Sequence, residues 1–252
     1  NDERGNSGAN SDLEVKSKLV EVEETTWIPV ENGKPFIGDL YVKKVEHPEM
    51  NFPDGIEGVY STITASVNDL NLRGVSGPVT FLLTDSSYST GETFPITVSI
   101  ANENLPTATN TVSFKPNTGV TSVITGNTAQ WVFGLNGSDY ITFDGSNTVG
   151  GTTRDLSIIN TYTGGTFNIV VALFHNGIKG ATNNTVKNCI IKGSPTPTNS
   201  YGLFLNAGGG GFNNTSFINN KIQNSKTAIQ FSGILGNTSN NGLISGNIIG
   251  DV

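Results

Sequence analysis

The sequence predicts an all-β fold wound as a solenoid, and three observations carry that prediction. The first is a repeat: "NNTVKNCIIKG" (183–193) returns as "NNTSFINNKIQN" (213–224) and again as "NNGLISGNIIG" (240–250). Self-similarity at a few tens of residues marks architectures in which one supersecondary unit is stacked on the next. The second is a parity change inside each copy. Val186, Phe217 and Ile244 are each followed five positions later by Ile191, Ile222 and Ile249. In a straight strand such residues would face opposite sides, yet both ends are apolar in every copy, so the chain must turn a corner between them. The third is that short strand-like runs follow one another from Trp131 onward with no further helical period.

The elements follow in chain order. Residues 1–11 are polar and glycine-containing, a mobile-tail composition. Leu13 to Val45 is a strand-bearing arm in which Val20 and Val22 alternate with Glu21 and Glu23. "HPEMNFPDGIEG" (47–58) reads as a linker, so that 1–57 forms an acidic arm and 58–252 the main domain. The arm either lies on its own domain or pairs with another subunit's open edge. "STITASVNDLNLRG" (61–74) is the one helical pattern, with about 62–73 helical. Ser61 or Thr62 can cap it, Ile63, Val67 and Leu70 share a face, and Gly74 stops it. Strands are expected in "SGPVTFLLTD", "FPITVSI", "NTVSFKP" and "TSVIT", then in nine further short runs ending at "GLISGNII".

The repeat has a second series, "ALFH" (172–175), "GLFL" (202–205) and "AIQF" (228–231). Spacings of 31 and 27 in the first series and 30 and 26 in the second shrink together, as they would if one coil were shorter. The corner pairs are Asn188-Cys189, Asn219-Asn220 and Gly246-Asn247. Asn and Gly tolerate left-handed backbone at low cost. Asn160, Asn188, Asn219 and Asn247 are therefore the expected structural corners.

From about Gly58 onward the chain resembles the right-handed parallel β-helix (pectin-lyase-like) domains of large secreted surface proteins of the Bacteroidota–Chlorobi type. The resemblance rests on "ITASVNDLNLRGVSGPVTFLL", "LNGSDYITFDGSNTVGGTTRDLSIIN" and the Asn-cornered repeats. It implies that the amphipathic helix closes the first end of the solenoid, and it says nothing of the acidic arm. It is specific for fold and unspecific for activity.

Composition narrows the function. Residues 1–57 carry 13 acidic and 6 basic side chains, and residues 58–252 carry 8 of each. A neutral body with scattered cations offers no footprint for nucleic acid, and no apolar run approaches a membrane span. One cysteine, Cys189, excludes an internal disulfide framework and a Cys-based zinc site, and His47 and His175 are the only histidines. Low Lys, low Cys and abundant Asn, Thr and Gly suit a secreted protein on a bacterial cell surface. A start at Asn1 without signal-peptide features reads as a processed chain or a fragment.

A lyase or hydrolase on such a fold needs paired carboxylates, or acids clustered on Ca2+ with a basic partner. Between Asp155 and Asp251 there is no acidic residue. Asp139, Asp144, Arg154 and Asp155 remain, either as a Ca2+ or sugar-acid site or as turn chemistry and solvated loop charge. The turn reading is preferred, and no cofactor is expected. "NAGGGGF" (206–212) lacks the lysine of a phosphate loop and reads as a bulge between coils. Cys189, with no histidine partner nearby, reads as inert. The N-x-[ST] triplets at Asn136, Asn183, Asn213, Asn214 and Asn237 read as corner geometry and side-chain ladders rather than glycan acceptors. Trp131, Tyr140, Tyr162 and Tyr201 are the aromatics that could stack on sugar rings, with ordinary packing as the simpler alternative.

The expectation is a non-enzymatic extracellular structural or adhesive protein, its solenoid a stiff spacer or self-assembling, filament-like subunit. The alternative is a carbohydrate-binding module or a piece of a polysaccharide lyase or hydrolase. Because the repeat runs to "GNIIGDV" without a polar capping segment, self-association or further coils are expected at that edge, with polysaccharide as a second partner.

Overall fold

The computed structural model describes residues 36–42, 59–101, 103–206, 211–233 and 240–250. The alternation at Val20 and Val22, His47 and the triplet at Asn237 lie outside the described residues.

Strands β1 (Phe36–Val42) and β2 (Val59–Tyr60) precede helix α1 (Ile63–Arg73). Three-strand coils then follow. The first holds β3 (Val75–Leu83), β4 (Ser87–Tyr88) and β5 (Ile96–Val98). The second holds β6 (Val112–Pro116), β7 (Ser122–Gly126) and β8 (Trp131–Asn136). The third holds β9 (Ile141–Asp144), β10 (Leu156–Asn160) and β11 (Phe167–Phe174). The fourth holds β12 (Thr185–Lys187), β13 (Cys189–Lys192) and β14 (Asn199–Asn206). The fifth holds β15 (Ser216–Ile218), β16 (Lys221–Gln223) and β17 (Thr227–Ser232), and β18 (Leu243–Ser245) and β19 (Ile248–Ile249) begin a sixth.

Within the coils each strand pairs, in parallel, with the strands three before and three after it. Three parallel sheets result, one strand per sheet per turn, which is the topology of a parallel solenoid. β1 pairs in parallel with β3 and with β2, so this strand of the arm extends the first sheet.

Register places like residues on like. Phe81, Phe114, Phe143, Val186 and Phe217 form one inward column of the first sheet. The rings of Phe81 and Phe114 stack at 4.7 Å and those of Phe114 and Phe143 at 5.3 Å. Ile124, Ile158, Ile191 and Ile222 line the second wall, and Leu135, Leu173 and Leu205 the third. All are buried, and removing each such side chain from water contributes about 1.5–3 kcal/mol.

The corners confirm the parity argument. Val186 and Ile191 are both fully buried, and Asn188 between them has φ 57°. Asn219 and Gly246, its register equivalents, have φ 52° and 64°. Two of the expected corners act differently. At the last corner Gly246 takes the left-handed backbone, while Asn247 accepts a hydrogen bond from Asn220 N at 2.9 Å. Asn160 is not among the positive-φ residues; its buried amide holds the corner instead, donating to Thr128 O (3.0 Å) and Ile169 O (2.9 Å). A second left-handed column, Tyr140, Asn183, Asn214 and Asn241, precedes the strands of the first sheet.

The second repeat series is correct in one step and slips in the other. Gly202 aligns with Ala228, as expected, but Ala172 pairs with Phe204 rather than Gly202. A slip of two residues keeps every side chain on its face, so the apolar pattern does not resist it.

Helix α1 begins where the pattern placed it. Thr62 Oγ1 accepts from Ala65 N at 3.0 Å, and Gly74, at φ 67°, donates to Leu70 O. Ile63, Val67 and Leu70 are buried where the helix meets β5, β1 and β2. Glu92 adds a partner from 29 residues away: its carboxylate accepts from Ile63 N and Thr64 N, both at 2.8 Å. No helix among the described residues is long and apolar enough to cross a membrane.

Candidate binding face

Of the acid–base residues singled out in the sequence, Asp144, Arg154 and Asp155 lie at the corner between the first and second sheets, whereas Asp139 lies in the turn between β8 and β9. In the fourth coil that corner is one residue long. In the third coil residues 145–155 occupy it, and Gly145 stands where Asn188 stands one coil later. A Cβ on Gly145 would lie 1.8 Å from Asn188 O, so only glycine fits under the next coil.

Around this corner runs an amide ladder with a charge at each end. Arg154 Nη2 donates to Asn219 Oδ1 at 2.5 Å, and Asn219 Nδ2 donates to Asn188 Oδ1 at 2.8 Å. Asn188 Nδ2 then donates to Asp144 Oδ1 at 2.8 Å. Arg154 Nε also reaches Asn219 O at 2.7 Å, and Lys187 Nζ lies 3.0 Å from Asp144 Oδ2. The cation thus sits at the donor end and the carboxylate at the acceptor end, so each amide is polarised in one sense. Asp155 accepts from Thr153 Oγ1 (2.6 Å) and Asn147 N (3.1 Å). Asp139 accepts from Thr182 N (2.7 Å) and Thr182 Oγ1 (2.9 Å). Each of these carboxylates thus holds loop structure. Among the described residues no group of three or more His, Cys, Asp or Glu side chains is placed to hold a metal ion.

Cys189 is buried in register with Asn220 and donates to Lys187 O at 3.1 Å. Burial, and then the Asp144 charge, push its thiol well above the ordinary range.

The open chemistry lies elsewhere, on the outer face of the third sheet. A cleft of ≈ 310 Å³ is lined by Trp131, Ile169, Ala172, Phe174, His175, Phe204 and Asn206. Trp131 comes from β8, Phe174 from β11 and Phe204 from β14, so three consecutive coils contribute one ring each. The Trp131 and Phe174 ring centroids are 4.6 Å apart at 52°. Tyr201 extends the face, its ring 4.9 Å from that of Phe204.

The indole is held in place. Trp131 Nε1 donates to Thr97 Oγ1 at 2.9 Å, and Asn71 on α1 donates to Thr97 O at 2.8 Å. A Cβ on Gly134 would lie 2.4 Å from Trp131 Nε1, so glycine there lets the ring lie across the sheet. At the rim, His175 Nδ1 accepts from Gly177 N at 3.0 Å. That bond fixes the tautomer, leaving Nε2 as the donor of the neutral ring.

Of the four aromatics singled out for sugar stacking, Trp131 and Tyr201 share this face. Tyr140 belongs to the left-handed corner column and Tyr162 to the loop after β10. Phe174, Phe204, His175 and Asn206 were missed. Their signal was parity: Phe174 and Phe204 flank the inward Leu173, Leu203 and Leu205, so they must point outward. No family model, curated protein or solved structure matches the chain.

Proposed function

We propose that this chain is a non-enzymatic extracellular surface protein. Its solenoid is a right-handed parallel β-helix of the pectin-lyase-like kind, with α1 as the cap of its first coil. It serves as a stiff adhesive scaffold presenting the outer face of the third sheet to a carbohydrate. One observation carries the reading: the described cleft is walled by rings and has no carboxylate in its lining. Sugar rings present flat C–H faces that pack on aromatic faces, whereas cleavage of a glycosidic bond needs an acid and a base or nucleophile within reach of it. The sequence-nominated carboxylates support the same view, since each is engaged in loop or ladder hydrogen bonds.

The test is to incubate purified protein with insoluble and soluble polysaccharides, following retention together with the release of reducing ends and unsaturated uronates. Retention without product is expected; sustained product formation would replace the scaffold with a lyase or hydrolase.

A second reading, self-assembly by stacking of coils, is favoured by a separate observation. Leu243, Ile244, Ile248 and Ile249, at inward register positions or beside them, are 38–60% exposed. Further coils of the same chain or a stacked neighbour would each cover them and pair the open strand edges, and only the neighbour makes mass depend on concentration. Sedimentation velocity should then show mass rising with concentration and Ile244→Asp abolishing the rise; a mass independent of concentration removes this reading.

A further inference from the structure

Resting on the reading of the third-sheet face as a carbohydrate surface, we propose that its ligand is an uncharged glycan chain laid along the solenoid axis, one sugar per coil. Three features of the cleft argue for it.

The first is charge. No Lys, Arg, Asp or Glu lines the cleft. Lys179, in the loop that follows His175, is paired with Asp139 at 3.9 Å. A polyuronate would surrender part of its hydration without meeting a cation, at a cost that burial makes large. A neutral chain loses far less, and its hydroxyls find the His175 Nε2–H donor at the rim.

The second is direction. Trp131, Phe174 and Phe204 sit at different points along their strands, opposite Ile169, Asn136 and Ala172. The indole and the Phe174 ring nevertheless both lean over Gly134, in the register row of Thr97, Gly134, Ala172 and Phe204. The rings therefore follow one another across strands spaced about 4.8 Å apart along the axis. That spacing is close to the length of one pyranose residue in an extended chain. A chain lying along the strands would meet one ring and then leave the face, whereas a chain crossing them meets all three.

The third is rigidity. Thr97 and Gly134 hold the indole before any ligand arrives, so little side-chain ordering remains to oppose binding.

The experiment is isothermal titration of the whole chain with cello-, xylo- and laminari-oligosaccharides of one to six units and with the matching oligogalacturonates, Trp131 fluorescence serving as a second readout. At least one neutral series should bind, its affinity rising to three or four units and then levelling. Trp131→Ala, Phe174→Ala or Phe204→Ala should each weaken that binding by about tenfold. Phe204→Leu, which keeps the apolar volume and removes the ring, should do the same with an unchanged melting temperature. Tyr162→Ala, off the face, should bind as the parent does. Oligogalacturonates binding as tightly through the same rings would overturn the uncharged ligand but leave the carbohydrate face standing. Affinity that levels at a single sugar would overturn the axial path. Absence of ring-dependent binding in every series would overturn both this inference and the reading on which it rests.

Discussion

Asn219 does two jobs with one side chain. Its backbone takes the left-handed corner at φ 52°, and its amide links Arg154 to Asn188 in the ladder. The two jobs are separable by substitution. Asn219→Gly keeps the corner and removes the ladder, at a cost of about 1–2 kcal/mol. Asn219→Ala also forces a Cβ residue into left-handed backbone, adding about 1 kcal/mol. Urea midpoints should therefore fall in the order parent, Gly, Ala; equal midpoints for the two variants would show that backbone conformation is not part of the role. The corner was legible from parity because apolar residues five apart cannot both face inward along a straight strand. Which residue of each pair bends was not legible. In "GN" at 246–247 either residue tolerates positive φ, and only the fold shows Gly246 bending while Asn247 bonds its neighbour.

Helix α1 shows the same division between local and distant causes. Its limits follow from Thr62, the i, i+4, i+7 apolar face and Gly74, all written within a dozen residues. Its second cap is tertiary. The Glu92 carboxylate receives two backbone N–H groups of the first turn and Thr64 Oγ1 (2.5 Å). No motif relates positions 63 and 92, because the contact exists only once β4 and the chain after it fold back over the helix. Glu92→Ala leaves those donors without their partner and should lower stability by about 1–3 kcal/mol. Thr62→Ala should cost about 1 kcal/mol. Thermal melts of the two single variants and the double variant measure this; loss from Thr62→Ala alone, with Glu92→Ala silent, would make the distant cap dispensable. Among strands, the slip between "ALFH" and "GLFL" has an equally physical cause. The pleat repeats every two residues, so a shift of two preserves burial and only the loop lengths decide.

The molecule as a whole stores protons that its unfolded chain would release at high pH. Burial first, and hydrogen bonding to Asp69 second, push the Tyr60 hydroxyl up; burial pushes up Tyr88 and Cys189 likewise. The ordinary values are 10.0 for tyrosine and 9.0 for the thiol. A group whose folded value is raised contributes its full stability below the unfolded value and loses it as pH rises beyond. Stability should thus be level to about pH 9 and then fall, first through the thiol and then through the tyrosines. Denaturant midpoints from pH 7 to 11 give the curve, and Tyr88→Phe should make its limb above pH 10 shallower. A flat profile to pH 11 would mean that these groups open to water in the native state. The thiol of Cys189 should likewise resist a disulfide reagent until the protein unfolds.

Periodicity and parity alone were enough to specify the stacked coils, their corners and the helix limits, because each depends on residues close in sequence or on a period that repeats. The repeat also set the register of the last coils in the first two sheets. The pairing of Ala172 with Phe204, the ladder from Arg154 to Asp144 and the grouping of Trp131, Phe174 and Phe204 came only from the folded chain. These contacts join residues tens of positions apart, across loops whose lengths vary from coil to coil. Each outward ring, read alone, is an ordinary surface aromatic. It becomes part of one aromatic cleft when stacked coils bring it beside the rings of neighbouring strands.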